Sequence, residues 1–513
     1  MKIVIVGGGT AGWLSALYMS LFNKDMNNEV VLIESSKIPI IGAGEGSTGI
    51  LSRTIKGNFL DMGIDETQFL YNTEATQKMG LHCKDWNEIG NDFYSPLQPT
   101  DTALGSTDFD LLVSMCMGNY YDGSPAGYLL ANGYSSYGTS KADIGAGSSY
   151  HFDAHKVGEY FKSIALKQGV KCIDTEVTSL NRNSLNGKLE SIETTTGKID
   201  ADFWIDCSGF SRVLIGPMGG GWKSFSEHLI VNAAIPYIHE FEKNEDIKLE
   251  TLAWAQPNGW MWQIPTQKRY GCGYVYSDMF TTYDKAVDEL MKTTGRKIEP
   301  LRNLKFDSGR LEKSWISNVV GIGLSAGFVE PLEATSIHST VVQLDMLLAS
   351  CLNFKYDIDI TSYDTIIDLY NKHFQKMFDD FTSLIQIHYI SQREDTDFWK
   401  YCKYEMKKTD KIKEILEICK FRSPSGQDFD VYHGGIGWGV WCWVMVGMGI
   451  LTKDIAYKTL NSYSLKKCNS NSEIDETFRN HFNRIKQRNS IFKIKAMTSK
   501  EFIKALIDKK LPK

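Results

Sequence analysis

The first chemistry legible in the chain is that of holding a phosphate. Gly7, Gly9 and Gly12 stand as G-x-G-x-x-G in "MKIVIVGGGTAGW", between an apolar run from Ile3 to Val6 and a helical stretch from about Ala11 to Phe22. The first glycine permits a tight turn, the second lets a pyrophosphate approach the backbone, and the third lets helix and strand pack closely. The helix N-terminus then offers its free N–H groups to the phosphate. Glu34 closes the next strand, "EVVLIE", 22 residues after Gly12, where a carboxylate reaches a ribose hydroxyl. A second group is aromatic. In "NGWMWQIP", Asn258 to Pro265, the two-residue period of a strand puts Trp260 and Trp262 on one face. Two indoles side by side make a wall.

The elements that must position these groups follow a mixed pattern. Ile3 to Val6 has the continuous β-branched character of a doubly covered parallel strand. With the helix and "EVVLIE" it makes a β-α-β unit. A helix is expected from His155, stopped by Gly169. "VKCID", "EVTSLNR" and "KLESIETT" read as short strands, with Asn186-Gly187 as a hairpin turn, and "ADFWIDCSG" as a buried strand ending in glycine. From about 222 to 310, strand-like runs between polar turns predict an antiparallel sheet inserted into the first fold. After Glu333 the pattern turns helical, over 337–352, 361–390, 394–408, 410–420 and 474–489. The fold class is α/β, α+β overall. The expected division is a dinucleotide-binding domain over 1–345, carrying the inserted sheet, and a helical domain over 346–513.

Two late strand-glycine turns, "DCSGFSR" (Asp206 to Arg212) and "GIGLSAGFVEP" (Gly321 to Pro331), offer further contact points for a long dinucleotide. They favour FAD over NAD.

Composition narrows the class. Apolar content of 42% and charge of 23% are those of a globular protein. A net charge of −6 argues against a nucleic-acid partner. The charge is uneven: Lys453 to Lys513 holds 15 Lys/Arg against 6 Asp/Glu. This tail reads as a solvated helical face, or as one docked on an acidic body. Ten cysteines without a CxxC pair suggest reduced cytoplasmic thiols rather than a disulfide scaffold or a metal site. The N-terminus leads directly into a strand, leaving no room for a signal peptide. The longest uncharged apolar run, Ile436 to Leu451, falls short of the ~20 residues a membrane span needs and reads as buried helix or pocket lining.

With these motifs assembled, the chain resembles the flavin-dependent halogenases of the tryptophan-halogenase family. The resemblance rests on "GGGTAGW", "GAGEGST" (Gly42 to Thr48), "KMG" (Lys78 to Gly80), "YHFDA" (Tyr150 to Ala154), "GWMWQIP" and "GFVEPLEATSIH" (Gly327 to His338). It covers about residues 1–345. It implies FAD, entering as FADH2, with O2 and a halide ion. In the family a flavin C4a-hydroperoxide is attacked by halide, and the hypohalous acid travels to a separate pocket holding an electron-rich aromatic. Lys78 is then the catalytic amine and Glu333 the catalytic carboxylate, with Glu330 structural. FAD contacts are implied at Gly7, Gly9, Thr10, Ala11, Gly12, Trp13 and Glu34. Others are implied at Ala43, Gly44 and Glu45 of a strap over the flavin, and at Val177, Leu324, Phe328 and Ile337. Thr335 and Ser336, at a helix start, would bind the halide, chloride, bromide or iodide, if they do not simply cap the helix. Trp260 and Trp262, with Pro265, would be the barrier between the oxidant-making and oxidant-using chambers.

Three positions depart from the family pattern. Ala334 replaces a serine common in tryptophan-acting relatives. "FYSPLQP" places Ser95, Pro96 and Leu97 where free-tryptophan enzymes carry the His, Pro and Phe of Y-H-P-F, and the expected pocket, with Phe93 beside these residues and Trp441 and Trp443 opposite, is apolar. These departures point to an indole, a phenol or another small aromatic substrate rather than free tryptophan. No reductase module is evident, so a separate flavin reductase is expected. A homo-oligomer stays open, and no metal or membrane partner is expected. The rival readings are an FAD-dependent aromatic monooxygenase and a non-catalytic FAD-binding redox sensor.

Overall fold

The computed structural model describes residues 1–22, 29–38, 44–57, 61–97, 109–137, 148–242, 245–348, 364–429, 435–464 and 471–511. Six strands form the first sheet, in the order Trp315–Ile316, Val319–Gly321, Phe203–Asp206, Lys2–Val6, Glu29–Glu34 and Lys171–Asp174. All pairs are parallel except the edge pair of Trp315–Ile316 with Val319–Gly321. Ile3 to Val6 are buried, which explains why the run is apolar throughout instead of alternating. The helix Thr10–Phe22 follows the glycine turn and packs against the helix Ala154–Lys167. Asp153 caps the second helix by accepting from the backbone N–H groups of His155 and Lys156.

The second sheet has seven strands: Leu304–Lys305, Ala233–Glu240, Arg269–Tyr276, Gly259–Pro265, Glu250–Gln256, Gly80–Lys84 and Asp92–Pro96. It corrects the expectation of a sheet confined to 222–310. Glu250–Gln256 pairs in parallel with Gly80–Lys84, so the strand that follows Lys78 is part of the same sheet. A helix not anticipated from the sequence, Tyr283–Thr294, crosses this region. The two faces of the sheet feed different cores. Trp260, Trp262 and Ile264 join the main core, whereas Met261 joins a smaller one with Tyr237, Cys272 and Tyr274. Strand alternation therefore holds for the two indoles.

The C-terminal part is helical, over Asp364–Ile387, Asp397–Tyr404, Asp410–Ile418, Trp438–Gly447, Lys453–Ser464, Asn471–Lys495 and Ser499–Ile507. The helix expected over 337–352 is Thr335–Met346. It starts two residues earlier, and its expected end lies outside the described residues. Helices at Gly49–Ile55, Glu66–Thr73, Phe109–Met117 and Pro125–Ala131 were also not anticipated. The basic tail packs back on the body. Asp110 accepts from His481 Nε2 at 2.7 Å and from Arg488 Nη1 at 2.6 Å. No disulfide joins the described cysteines. No described helix is long and apolar enough to cross a membrane.

Candidate active site

The glycine turn is shaped by contacts a side chain would destroy. Gly7 has φ +123°, and a Cβ there would lie 2.2 Å from the Cys207 carbonyl oxygen. A Cβ on Gly12 would lie 1.8 Å from the Gly7 oxygen, so helix and strand meet at backbone contact. Around Gly9 nothing lies within 4 Å of such a Cβ. That open side, beside a helix start, fits a pyrophosphate. Thr10 Oγ1 donates to the Ala154 carbonyl at 3.3 Å. Gly323 approaches Ala11 closely, which brings the turn holding Leu324 to the helix start. Trp13 is buried with the Lys162 ammonium over its ring, and Lys162 also donates to Glu34 Oε1 at 2.6 Å. Oε2 of Glu34 faces Gly8. Val177 opens a strand just beyond Thr175, whose N–H donates to the Glu34 carbonyl. Phe328 sits between the rings of Phe210 and Phe306, and Ile337 is buried on the helix Thr335–Met346. Ala43 lies outside the described residues.

Lys78 belongs to a small sheet in which Ser149–Phe152 pairs with both Thr76–Lys78 and Glu45–Gly46. This places the lysine under the strap. A Cβ on Gly46 would lie 3.1 Å from Lys78 Nζ and 3.5 Å from Thr251 Oγ1. Only 1% of the lysine is exposed. Burial lowers its pKa to about 8, and the opposing charge of Glu333 limits the fall. Burial and then the Lys78 charge hold His151 neutral, with its Nε2 2.8 Å from Thr251 Oγ1. Gly44 packs on Gly271, and burial followed by the Asp153 charge raises the Glu45 carboxyl to about 7.

Glu333 ends the turn Pro331–Glu333 and is 5% exposed. Ala334 then takes φ +54°, a left-handed conformation unusual for alanine, and the chain enters the helix Thr335–Met346. This residue is the N-cap, and no side chain caps the helix. The alternative of a cap by Thr335 or Ser336 is thereby corrected: their N–H groups stay at the open helix start.

The indoles of Trp260 and Trp262 lie 6.3 Å apart at 58°. Trp262 lies over Gly273, where a Cβ would come within 2.0 Å of its ring. Thr76 Oγ1 donates to the Pro265 carbonyl at 2.7 Å, tying the end of this strand to the lysine strand. Trp260 Nε1 donates to Glu330 Oε1 at 3.2 Å, and Tyr389 Oη donates to the same oxygen at 2.7 Å. Glu330 is thus the anchor of the indole wall. Trp86 packs against Trp260, Tyr389 and His388. Thr251, Trp86, His388 and Tyr389 were missed in the sequence because they lie outside every motif; His151 lies inside "YHFDA" and could have been found there.

The helix and the strand that carry the expected pocket residues are neighbours, but the side chains turn to different partners. The helix Trp438–Gly447 packs on the strand Asp92–Pro96, and a Cβ on Gly447 would lie 2.2 Å from the Phe93 ring. Trp443 is embedded between Tyr120, Tyr121 and Gly127, and Trp441 stacks near Phe429. Ser95 and Pro96 are buried and Leu97 half-buried. Phe93 and Trp443 therefore serve as packing groups, because glycines at 447 and 127 let the elements close on them.

The "Tryptophan halogenase" family model matches residues 2–461. The chain belongs to the tryptophan halogenase family. It is a flavin-dependent halogenase. It is 31% identical over 469 residues to tryptophan 7-halogenase RebH of Lentzea aerocolonigenes, covering 84% of this chain and 85% of that one. It is 30% identical over 506 residues to tryptophan 6-halogenase ThaL of Streptomyces albogriseolus, covering 89% and 91%. The solved tryptophan halogenase of Shewanella frigidimarina shares the fold, with a TM-score of 0.88 at 24% identity over 100% of this chain and 98% of that one. The halogenase fold therefore spans the helical C-terminal part as well as the motif-bearing part.

Proposed function

We propose that this halogenase acts on a small electron-rich aromatic other than free tryptophan, with Lys78 and Glu333 as its catalytic pair. The observation that carries the reading is a buried amine at the strap, with its pKa brought to about 8 and a buried carboxylate acting on it. Gly7, Gly9, Gly12 and Glu34 would hold the dinucleotide, and the strap at Gly44 to Gly46 would cover it. Reduced FAD, when bound, supplies an oxidised halogen from O2 and halide.

The chain's own groups account for the rest. The open N–H groups of Thr335 and Ser336 favour an anion beside the helix start. Trp260 and Trp262 exclude an arene from the cofactor side while a small oxidant passes. An ammonium at Lys78 Nζ donates a hydrogen bond to the hypohalous oxygen, polarising the halogen. Glu333 accepts the proton that leaves the ring. Tryptophan is the substrate named for RebH and ThaL. Ser95 and Leu97 in place of stacking His and Phe, and the uncharged helix Trp438–Gly447, favour a less polar ring here.

The test supplies reduced FAD, O2 and each halide in turn to wild type and Lys78→Ala, with tryptophan, indole and phenol. Mass spectrometry is expected to show a halogen isotope pattern on indole or phenol with wild type alone. A hydroxylated product formed without halide would overturn it. NADPH is expected to sustain turnover only after a separate flavin reductase is added.

A further inference from the structure

Glu333 and His388 are both buried, and each carries one polar atom without a hydrogen-bond partner: Oε1 of the carboxylate and Nε2 of the imidazole. Those two atoms face each other at 3.2 Å. Their angles fall outside those of a hydrogen bond, as is common for catalytic pairs at rest. Such paired orphans call for a physical reason, because an unsatisfied buried polar group is costly.

The other imidazole nitrogen supplies part of it. His388 Nδ1 lies 3.2 Å from the Leu384 carbonyl oxygen. A carbonyl only accepts, so Nδ1 carries a hydrogen and Nε2 is the nitrogen left open. Trp86 packs against the imidazole at 5.6 Å and holds the ring in this orientation. An ionised Glu333 therefore presents a lone pair to a lone pair across 3.2 Å of dry interior. One proton placed between them turns that opposition into a charge-assisted hydrogen bond.

We propose that Nε2 of His388 and Oε1 of Glu333 form a shared seat for one proton, with His388 as the positioning residue of the carboxylate. This rests on the reading of Glu333 as the group that takes the ring proton. In that step the carbon–halogen bond forms as the halogen–oxygen bond of the hypohalous acid breaks. The hydroxide leaves as water with a proton from Lys78 Nζ. The C–H electron pair returns to the ring, and its proton enters the seat between Oε1 and Nε2. Transfer from the seat to Lys78 restores both groups, so arene and hypohalous acid give haloarene and water.

Glu333 acts on Lys78 through its charge. Cys83 is held as a thiol by burial and then by the Glu333 charge. Glu330 is turned away, to Trp260 and Tyr389.

The seat is testable without flavin, halide or arene. Protein labelled with nitrogen-15 in its histidine rings is titrated by NMR, and the His388 signal is assigned by its loss in His388→Gln. In wild type, Nε2 is expected to take up its proton at least about one pH unit higher than in Glu333→Gln, as for a base losing an opposite charge within hydrogen-bond reach. Glu333→Asp, which keeps the charge on a shorter arm, is expected to fall between. Equal midpoints in wild type and Glu333→Gln, or an Nδ1 without hydrogen in wild type, would overturn the seat. Failure of halogenation in wild type would instead overturn the catalytic reading.

Discussion

The indole of Trp260 donates its hydrogen to Glu330 Oε1 across 3.2 Å, so the strand Gly259–Pro265 and the turn leading to Glu333 are joined by one buried bond. Glu330 stands three residues before Glu333 and is fully buried. Burial pushes its carboxyl up to about 8, against the pull of the Tyr389 and Trp260 hydrogen bonds. The folded protein therefore binds a proton that the unfolded chain releases near 4.5. Stability is full below about 4.5 and falls as pH rises towards 8, by up to about 1.4 kcal/mol per pH unit. Glu330→Gln keeps an acceptor for Trp260 and Tyr389 and removes the titration. Urea midpoints measured from pH 5 to 8 are expected to fall less steeply in the variant than in wild type.

Lys78 makes the opposite exchange between stability and function. Its amine titrates near 8 in the fold instead of near 10.5, chiefly through burial. Between those values the unfolded chain holds more protons, so wild-type stability rises with pH through that window. Lys78→Met removes the desolvated charge. It is expected to raise stability at pH 7 by on the order of a few kcal/mol while cutting arene halogenation at least about 100-fold. Glu333→Gln removes the charge that supports the ammonium, and is expected to move the Lys78 midpoint below 8. Thermal unfolding and the pH dependence of halogenation check the two claims.

The dinucleotide grip predicts a contrast between two glycines. Gly9 has open space where a Cβ would stand, whereas Gly12 has the Gly7 carbonyl oxygen 1.8 Å away. Gly9→Ala is expected to leave thermal stability of the flavin-free protein unchanged and to weaken FAD binding by about tenfold or more, a loss of roughly 1.4 kcal/mol. Gly12→Ala is expected to lower stability itself by about 1–3 kcal/mol, through strain in a packed contact. Flavin fluorescence titration beside thermal unfolding separates the two.

The legible parts of the molecule are those whose cause is local. Gly12 announces a turn because it answers to Gly7 five residues earlier, and Trp260 and Trp262 share a face because strands alternate, whereas the contact of Gly7 with Cys207 on a distant strand is no part of the local pattern. The seven-stranded sheet was legible only in part, since Gly80–Lys84 pairs with Glu250–Gln256 across 170 residues and no local pattern specifies that register. The helix Tyr283–Thr294 carried usable signals. Thr282 caps it, Gly295 ends it in a left-handed conformation, and Ala286 and Leu290 fall on its buried side. Surrounding strands masked them. His388 gave no signal at all, because its meaning comes only from the 55-residue return that sets its ring against Glu333.

Substrate preference is the sharpest remaining consequence. Free tryptophan brings an ammonium and a carboxylate, each costly to desolvate without a partner. The helix Trp438–Gly447 offers neither acid nor base to pair with them. Indole and phenol carry no such charges. In competition at equal concentration, indole or phenol is expected to be halogenated at least about tenfold faster than tryptophan, the discrimination expected when one polar group goes unmatched. Product ratios by mass spectrometry decide it, and preferential turnover of tryptophan to a single regioisomer would sink the apolar-substrate reading while leaving the roles of Lys78 and Glu333 intact.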